Sequence, residues 1–213
     1  MKSRKVVTRS GRGFRGYFPS KKLNRSVEFE SILERDAFYL FEHSPGVKSY
    51  QEQPELILYE SLGEMHKYYP DVGVTLRLDR LIHAEIKPLI RLDKPALISK
   101  FQSIIQRYKT HSAEFIILTE KTIRQEPLFS NLKMLNSVYK FDLDINQIFQ
   151  STKVLLQADT KHTYNDLVHM FGKTKVLMML ARHLVFCDLY QKLESKTNFV
   201  RLPKENDHDA VYF

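Results

Sequence analysis

The sequence predicts an α/β fold: a mixed sheet flanked by helices, followed by a small, mainly helical region. Three observations predict it. A helix signal at 31–43 precedes a series of short strand signals that ends at 86. A second helix signal at 95–109 leads into the apolar run Phe115-Ile116-Ile117-Leu118. From about Ile123 onward the apolar pattern is mostly helical.

Each element has its own warrant. Ser31-x-x-Glu34 has the form of a capping box, and Ile32, Leu33, Ala37, Phe38, Leu40 and Phe41 supply the apolar face of the helix it opens. Ser44-Pro45-Gly46 stops that helix. Residues 47–50 and 55–59 read as strands. Residues 72–78, a turn at Asp79-Arg80 and residues 81–86 read as a hairpin, ended by Pro88. Leu97, Ile98, Phe101, Ile104, Ile105 and Tyr108 recur at helical spacing, and 115–118 reads as a buried central strand. Helices follow at 132–139, 145–158, 164–171 and 175–186, then a weak strand pattern at 198–202, which suits a winged-helix-type module. The expected divisions are a basic, flexible arm at 1–25, a first domain at 26–122, a second at 123–202 and a polar, frayed tail at 203–213.

At 213 residues the chain can bury about 70% of its unfolded surface. No apolar run approaches the roughly 18 residues of a membrane-spanning helix, and the basic first residues lack an apolar signal core. The single cysteine, Cys187, sits in an apolar run and reads as a reduced core thiol, so a cytoplasmic location is expected. The net charge of +8 is unevenly placed. Nine of the 33 Lys and Arg fall in residues 1–25, which hold no acid, leaving 24 against the 25 Asp and Glu of the chain. The body is therefore near neutral. Within the arm, Arg4, Lys5, Arg9, Arg12, Arg15, Lys21, Lys22 and Arg25 are the expected phosphate contacts. Phe14, Tyr17 and Phe18 lie among them and offer stacking faces. A solvated charged tail is the plainer alternative.

Two motifs are decoys. Gly11-Arg12-Gly13-Phe14-Arg15-Gly16 matches a dinucleotide fingerprint in letters, but neither an apolar strand precedes it nor an amphipathic helix follows. Gly172-Lys173-Thr174 imitates the end of a phosphate loop, whose first glycine would fall at Leu167.

The chemistry lies in Tyr69-Pro70-Asp71 and Glu85-Ile86-Lys87-Pro88. On the strand from Leu81, His83, Glu85 and Lys87 share one face. If the hairpin pairs Asp71 with Lys87 and Gly73 with Glu85, the three charged groups converge, and Gly73 leaves room opposite Glu85 for a metal ion or a DNA strand. That register needs an odd-numbered loop or a bulge near Asp79-Arg80; a two-residue turn would put Asp71 on the wrong face. Glu34, from the first helix, either completes the site or merely caps its own helix, with Glu28, Glu30 and Asp36 as substitutes. The set has the order of a PD-(D/E)xK nuclease. Asp71, Glu85 and Glu34 would bind one or two Mg²⁺ ions, with Mn²⁺ able to substitute, and Lys87 would orient water and balance charge. Eight histidines without ligand spacing and one cysteine argue against a zinc enzyme.

The strings Glu30-Ser-Ile-Leu-Glu-Arg-Asp36, Phe41-Glu42-His43-Ser44-Pro45 and Tyr50-Gln51-Glu52-Gln53-Pro54, with Tyr69-Pro70-Asp71 and Glu85-Ile86-Lys87-Pro88, resemble the TnsA family. TnsA proteins are the endonuclease subunits of heteromeric cut-and-paste transposases. The resemblance continues through Ile123-Arg124, Asn131-Leu132-Lys133 and Thr163-Tyr164-Asn165-Asp166-Leu167, so it spans about 26–202. It implies a restriction-endonuclease-like first domain and a winged-helix-like second one. It assigns Glu34, Asp71, Glu85 and Lys87 as catalytic and Gln53 as supporting. It further implies Mg²⁺-dependent cleavage of double-stranded DNA at the 5′ ends of a transposon. A DDE-type transposase (TnsB-like) and an AAA+ regulator (TnsC-like), the latter through the C-terminal domain, are the implied partners. Val72 departs from the family, where an aromatic residue often follows the aspartate. A stand-alone restriction or repair nuclease would share this site, and a catalytically idle DNA-binding subunit would use the arm and the C-terminal module alone.

Overall fold

The computed structural model describes residues 14–158 and 161–213. The chain divides into two units: unit 1 runs to Arg124 and takes back Val211–Phe213, and unit 2 is Gln125–Ala210. The division falls two residues beyond the boundary expected at 122.

Unit 1 opens with a hairpin where a flexible arm was expected. Strands β1 (Gly16–Ser20) and β2 (Arg25–Phe29) pair antiparallel, and Asn24 turns the chain at φ 50°. Alternation explains it: Phe18, Val27 and Phe29 are buried while Tyr17 faces out. The Phe18 ring meets Phe38 and Tyr39 edge-on, at 5.7 and 5.1 Å. The turn lysines are held from below by buried Glu42. Its Oε1 accepts the Lys21 and Lys22 N–H groups, each at 2.9 Å, and its Oε2 accepts Ser20 Oγ at 2.6 Å and Tyr50 OH at 2.8 Å. The expected arm residues 1–13 lie outside the described residues.

Helix α1 (Ile32–His43) starts at Ser31, whose side chain accepts the Glu34 N–H, and buries Leu33, Ala37, Phe38, Leu40 and Phe41. It ends at Ser44, as expected. The remaining elements of unit 1 are β3 (Val47–Glu52), β4 (Ile57–Ser61), β5 (Glu64–Tyr68), β6 (Val72–Leu76), β7 (Leu81–Ile86), α2 (Leu89–Leu92), α3 (Pro95–Tyr108), β8 (Glu114–Leu118) and α4 (Glu120–Ile123). Four strands form one mixed sheet in the order β3-β6-β7-β8, antiparallel except for the parallel β7–β8 pair. Strands β4 and β5 form a separate hairpin.

The run at 115–118 is a correction. It forms an edge strand, β8, with Phe115, Ile116 and Ile117 only half-buried. Phe115 and Ile117 pack on the cluster of Ile57, Tyr59, Tyr68, Phe101, Ile104 and Tyr108 contributed by β4, β5 and α3. A continuous apolar run thus marks an edge strand packed on neighbouring elements as readily as a central strand covered on both sides.

Unit 2 holds α5 (Leu128–Ser137), α6 (Asn146–Gln157), β9 (His162–Thr163), α7 (Tyr164–Phe171), α8 (Lys173–Ala181) and β10 (Phe199–Val200). Strands β9 and β10 pair antiparallel, and a bridge between Phe186 and Arg201 extends them. The helix expected at 175–186 ends at Ala181, with His183 at φ 54° just beyond, and Phe186 is released to the bridge. Thr163 and Asp166 form a reciprocal capping box on α7. The tail is not frayed. Arg201 Nη2 reaches Asp207 Oδ1 at 2.7 Å, the Tyr212 N–H donates to Ser44 Oγ at 3.0 Å, and the Phe213 ring stands edge-on to Phe41 at 5.1 Å. Among the described residues no helix is long and apolar enough to cross a membrane.

Candidate active site

The β6–β7 hairpin brings the charged groups together, through a register that differs from the expected one. Val72 pairs with Ala84 and Gly73 with His83, so Asp71 falls level with Glu85 and not with Lys87. The ladder is displaced by two residues. Parity survives because five residues, an odd number, separate the paired Thr75 and Leu81. That loop turns through Leu78 and Asp79 at φ 62° and 56°, and the Leu76 N–H donates to the Arg80 carbonyl at 2.8 Å.

The space directly over the Gly73 Cα is filled by Pro54, and both residues line the edge of a cleft. A Cβ placed there would lie 2.8 Å from Pro54 Cβ and 3.6 Å from His83 Cδ2. Pro54 therefore crosses the sheet face where room for metal or DNA was expected, and glycine is required for that crossing.

Asp71 and Glu85 share one cation. Lys87 Nζ lies 3.1 Å from Asp71 Oδ2 and 2.9 Å from Glu85 Oε1. Asp71 Oδ2 also accepts the Ile86 N–H at 2.8 Å, and Glu85 Oε2 accepts the Tyr68 hydroxyl at 2.6 Å. Glu85 is 2% exposed, and burial, followed by the Asp71 charge, raises its carboxyl above the usual range. Burial alone would lower the Lys87 ammonium, but Asp71 and Glu85 together outweigh it and hold it above its ordinary value. Lys87 is thus a fixed positive charge. The strand end is pinned by Lys87 N–H to Leu118 carbonyl at 3.0 Å and Leu89 N–H to Glu120 Oε2 at 2.9 Å.

Glu34 stands beside this group without bonding to it. Its Oε2 accepts the Glu30 N–H at 2.8 Å and its Oε1 accepts the Ser31 hydroxyl at 3.0 Å, so it serves its own helix start. Burial, then the Asp71 charge, push its carboxyl up to about 7. Gln53 is buried in a left-handed conformation, φ 43°, and its backbone N–H donates to the Asp71 carbonyl at 3.0 Å, which fixes the approach to β6.

Among the described residues no three His, Cys, Asp or Glu side chains are grouped to hold a metal ion, so Glu34, Asp71 and Glu85 do not form a three-carboxylate site as they stand. The physical reason is that Glu34 is turned back into its cap. Asp71 and Glu85 by themselves do suit Mg²⁺: they are hard oxygen donors already converging on a positive charge, and Mg²⁺ commonly takes one or two carboxylates and fills its shell with water and phosphate oxygens.

The expected DNA contacts divide. Arg4, Lys5, Arg9 and Arg12 lie outside the described residues. Arg15 stands 3.6 Å from Glu30, and Lys21 is exposed. Lys22 has an internal role: its ammonium donates to the Ser44 and Val47 carbonyls, both at 2.7 Å, and burial lowers it to about 8. Arg25 forks onto Glu52 at 3.2 and 2.9 Å.

Tyr68, which donates to Glu85, is the residue of this group that pattern reading missed. Its signal was the stretch Glu64-Met65-His66-Lys67-Tyr68, bounded by Gly63 and Pro70, which reads as a strand once the turn at Leu62-Gly63 is allowed. Nearby, His83 is wholly buried with Nδ1 at 2.7 Å from Tyr108 OH, and burial, then His111, lower it to about 4. It is neutral at physiological pH. It forms part of a cleft of about 510 Å³ on this sheet face, together with Ser49, Gln51, Glu55 and Thr75.

No protein-family model matches the chain, and no curated protein matches it.

Proposed function

We propose that the chain is a divalent-metal-dependent DNA endonuclease, and within that class the subunit of a transposase that hydrolyses the phosphodiester at the 5′ ends of the element. The observation that carries the reading is the convergence of Asp71, Glu85 and Lys87 on one face of a mixed sheet, on the pattern of a PD-(D/E)xK site. The transposase assignment, the TnsB-like and TnsC-like partners and the restriction-endonuclease-like name for unit 1 rest on the resemblance of the motif series to TnsA.

In this mechanism Asp71 and Glu85 would hold Mg²⁺ (or Mn²⁺), and Glu34 would join them on leaving its cap. The chemistry supplied by such an ion would be polarisation of the scissile phosphate and acidification of the attacking water. Lys87, kept protonated by its two carboxylate neighbours, stabilises negative charge on the phosphoryl oxygens and does not act as a base. The Ile86 N–H keeps the Asp71 carboxylate from rotating away, and the Gln53 N–H fixes the Asp71 backbone through its carbonyl. The basic residues of the N-terminal segment and exposed Lys21 neutralise phosphates along the duplex.

Over 162–201 unit 2 runs β9, α7, α8 and β10, with an isolated bridge from Phe186 to Arg201 between α8 and the end of β10, an order that supports the winged-helix reading. Its second helix, α8, is buried from Val176 to Ala181 against α5, α7 and the turn at Val138–Lys140. Its exposed start carries Lys173 and Lys175.

The test is cleavage of a transposon-end duplex with Mg²⁺, with and without the DDE-type partner, for the native chain and Asp71→Ala. A loss of about 100-fold or more in 5′-strand cleavage is expected. Undiminished cleavage by Asp71→Ala rejects the site.

A further inference from the structure

Glu85 ends between two donors from different parts of unit 1. Lys87 Nζ takes Oε1 at 2.9 Å, and the Tyr68 hydroxyl, at the end of β5, takes Oε2 at 2.6 Å. Glu85 is 2% and Tyr68 4% exposed, so bulk water does not complete this carboxylate and its orientation is set by those donors. Tyr68 is itself held firmly. Its ring meets Tyr59 and Phe115 edge-on at 6.5 and 6.1 Å, the Lys100 ammonium lies 5.2 Å from its centroid, and its backbone pairs with Ile57. The phenol is thus fixed by aromatic rings of β4 and β8 and delivers one hydrogen bond to Glu85 on β7.

We infer that Tyr68 is a positioning residue for Glu85: by holding Oε2 it turns Oε1 toward Lys87 and Asp71, and Oε1, whose second lone pair is not used by Lys87, is the atom Glu85 offers to a divalent cation. The inference rests on the endonuclease reading. Hydrogen-bond partners of metal-ligating carboxylates set ligand orientation, and their loss typically weakens metal binding 10- to 100-fold. Tyr68→Phe removes the hydroxyl and keeps the ring, so packing by Tyr59 and Phe115 is retained.

The experiment compares native chain, Tyr68→Phe and Asp71→Ala by calorimetric titration with Mn²⁺ in the absence of DNA, and by cleavage rate against Mg²⁺ concentration. For Tyr68→Phe, Mn²⁺ binding about 10- to 100-fold weaker is expected, with half-saturating Mg²⁺ raised by a similar factor and the rate largely recovered at high Mg²⁺. A purely structural tyrosine would move neither quantity. Unchanged Mn²⁺ affinity and half-saturation in Tyr68→Phe, with Asp71→Ala impaired, overturn this inference alone. Native and Asp71→Ala chains that bind Mn²⁺ equally poorly overturn the endonuclease reading with it. Should Tyr68→Phe fail to fold, 3-fluorotyrosine at position 68 gives a second readout: its ¹⁹F resonance shifts on saturation with Mg²⁺, and a resonance that stays in place overturns the inference.

Discussion

Pro54 lies against Gly73 so closely that a Cβ on residue 73 would stand 2.8 Å from Pro54 Cβ and 2.9 Å from its Cγ. The pyrrolidine ring cannot rotate aside as a flexible side chain would. Gly73→Ala is therefore expected to destabilise the fold by about 2 kcal/mol. Because Gln53, the neighbour of Pro54, donates its N–H to the Asp71 carbonyl, cleavage should fall as well. Urea denaturation together with the cleavage assay checks both; a variant as stable as native shows that the crossing has slack.

Lys87→Met removes the ammonium between Asp71 and Glu85. It leaves Glu85, 2% exposed, as a buried charge without its cation, at a cost of about 3 kcal/mol at pH 8. That loss shrinks as pH falls, because a carboxyl already raised by burial and by Asp71 then takes up a proton. Urea denaturation at pH 8 and pH 5 should show the difference. Equal destabilisation at both values contradicts it.

Glu34 gives a separate pH signature. Its carboxyl sits at about 7 in the folded chain against an ordinary 4.5, so the folded state holds that proton more tightly than the unfolded state does. The stabilising effect of protonation is complete below pH 4.5 and is lost as pH rises through 7. Relative to Glu34→Gln, which does not titrate there, the native chain should gain up to about 3 kcal/mol between pH 8 and pH 4. A stability difference that stays flat across that range shows that Glu34 is ordinary in its surroundings.

Lys22 and the N-terminal segment should separate cleanly. Lys22→Met strands two carbonyls, those of Ser44 and Val47, and should lower stability by about 2 kcal/mol while leaving the salt dependence of DNA binding unchanged. Deleting residues 1–13 removes Lys2, Arg4, Lys5, Arg9 and Arg12. The slope of log affinity against log salt should then fall by about 0.9 for each phosphate that is no longer neutralised. Fluorescence anisotropy over a salt series measures it, and an unaltered slope makes that segment a solvated tail.

The helix start at Ser31 and the stop at Ser44 were legible because each rests on a local rule of spacing or capping. The β6–β7 hairpin, read with a two-residue turn at Asp79-Arg80, ends its first strand at Leu76 and closes through 76–80, so its odd-numbered loop was legible only as a condition on the register. The two-residue offset in that hairpin was not. It depends on Leu78 and Asp79 adopting left-handed backbone, for which neither residue gives the signal that glycine would. The β1–β2 hairpin was hidden by its charge: the lysines suggested solvent, whereas one is bonded through its ammonium to carbonyls and both through their N–H groups to Glu42. Here Asn24, at φ 50°, was the turn signal to weigh against the basic run. Tyr68 escaped because its partner is 17 residues away, a distance no periodicity reports. The position of Glu34 shows the converse: its local capping pattern was readable and real, and only the fold places it within the field of Asp71.

The return of Tyr212 and Phe213 to Ser44 and Phe41 makes unit 1 discontinuous along the chain. On the ribosome, residues 14–124 emerge first, yet their last partners are translated only after all of unit 2 has been made. The nascent unit 1 thus waits with the Phe41 edge and the Ser44 hydroxyl uncovered, and unit 2 is inserted in the sequence of unit 1. A stop codon at 211 would leave the proposed site residues intact and would be felt at the far end of α1.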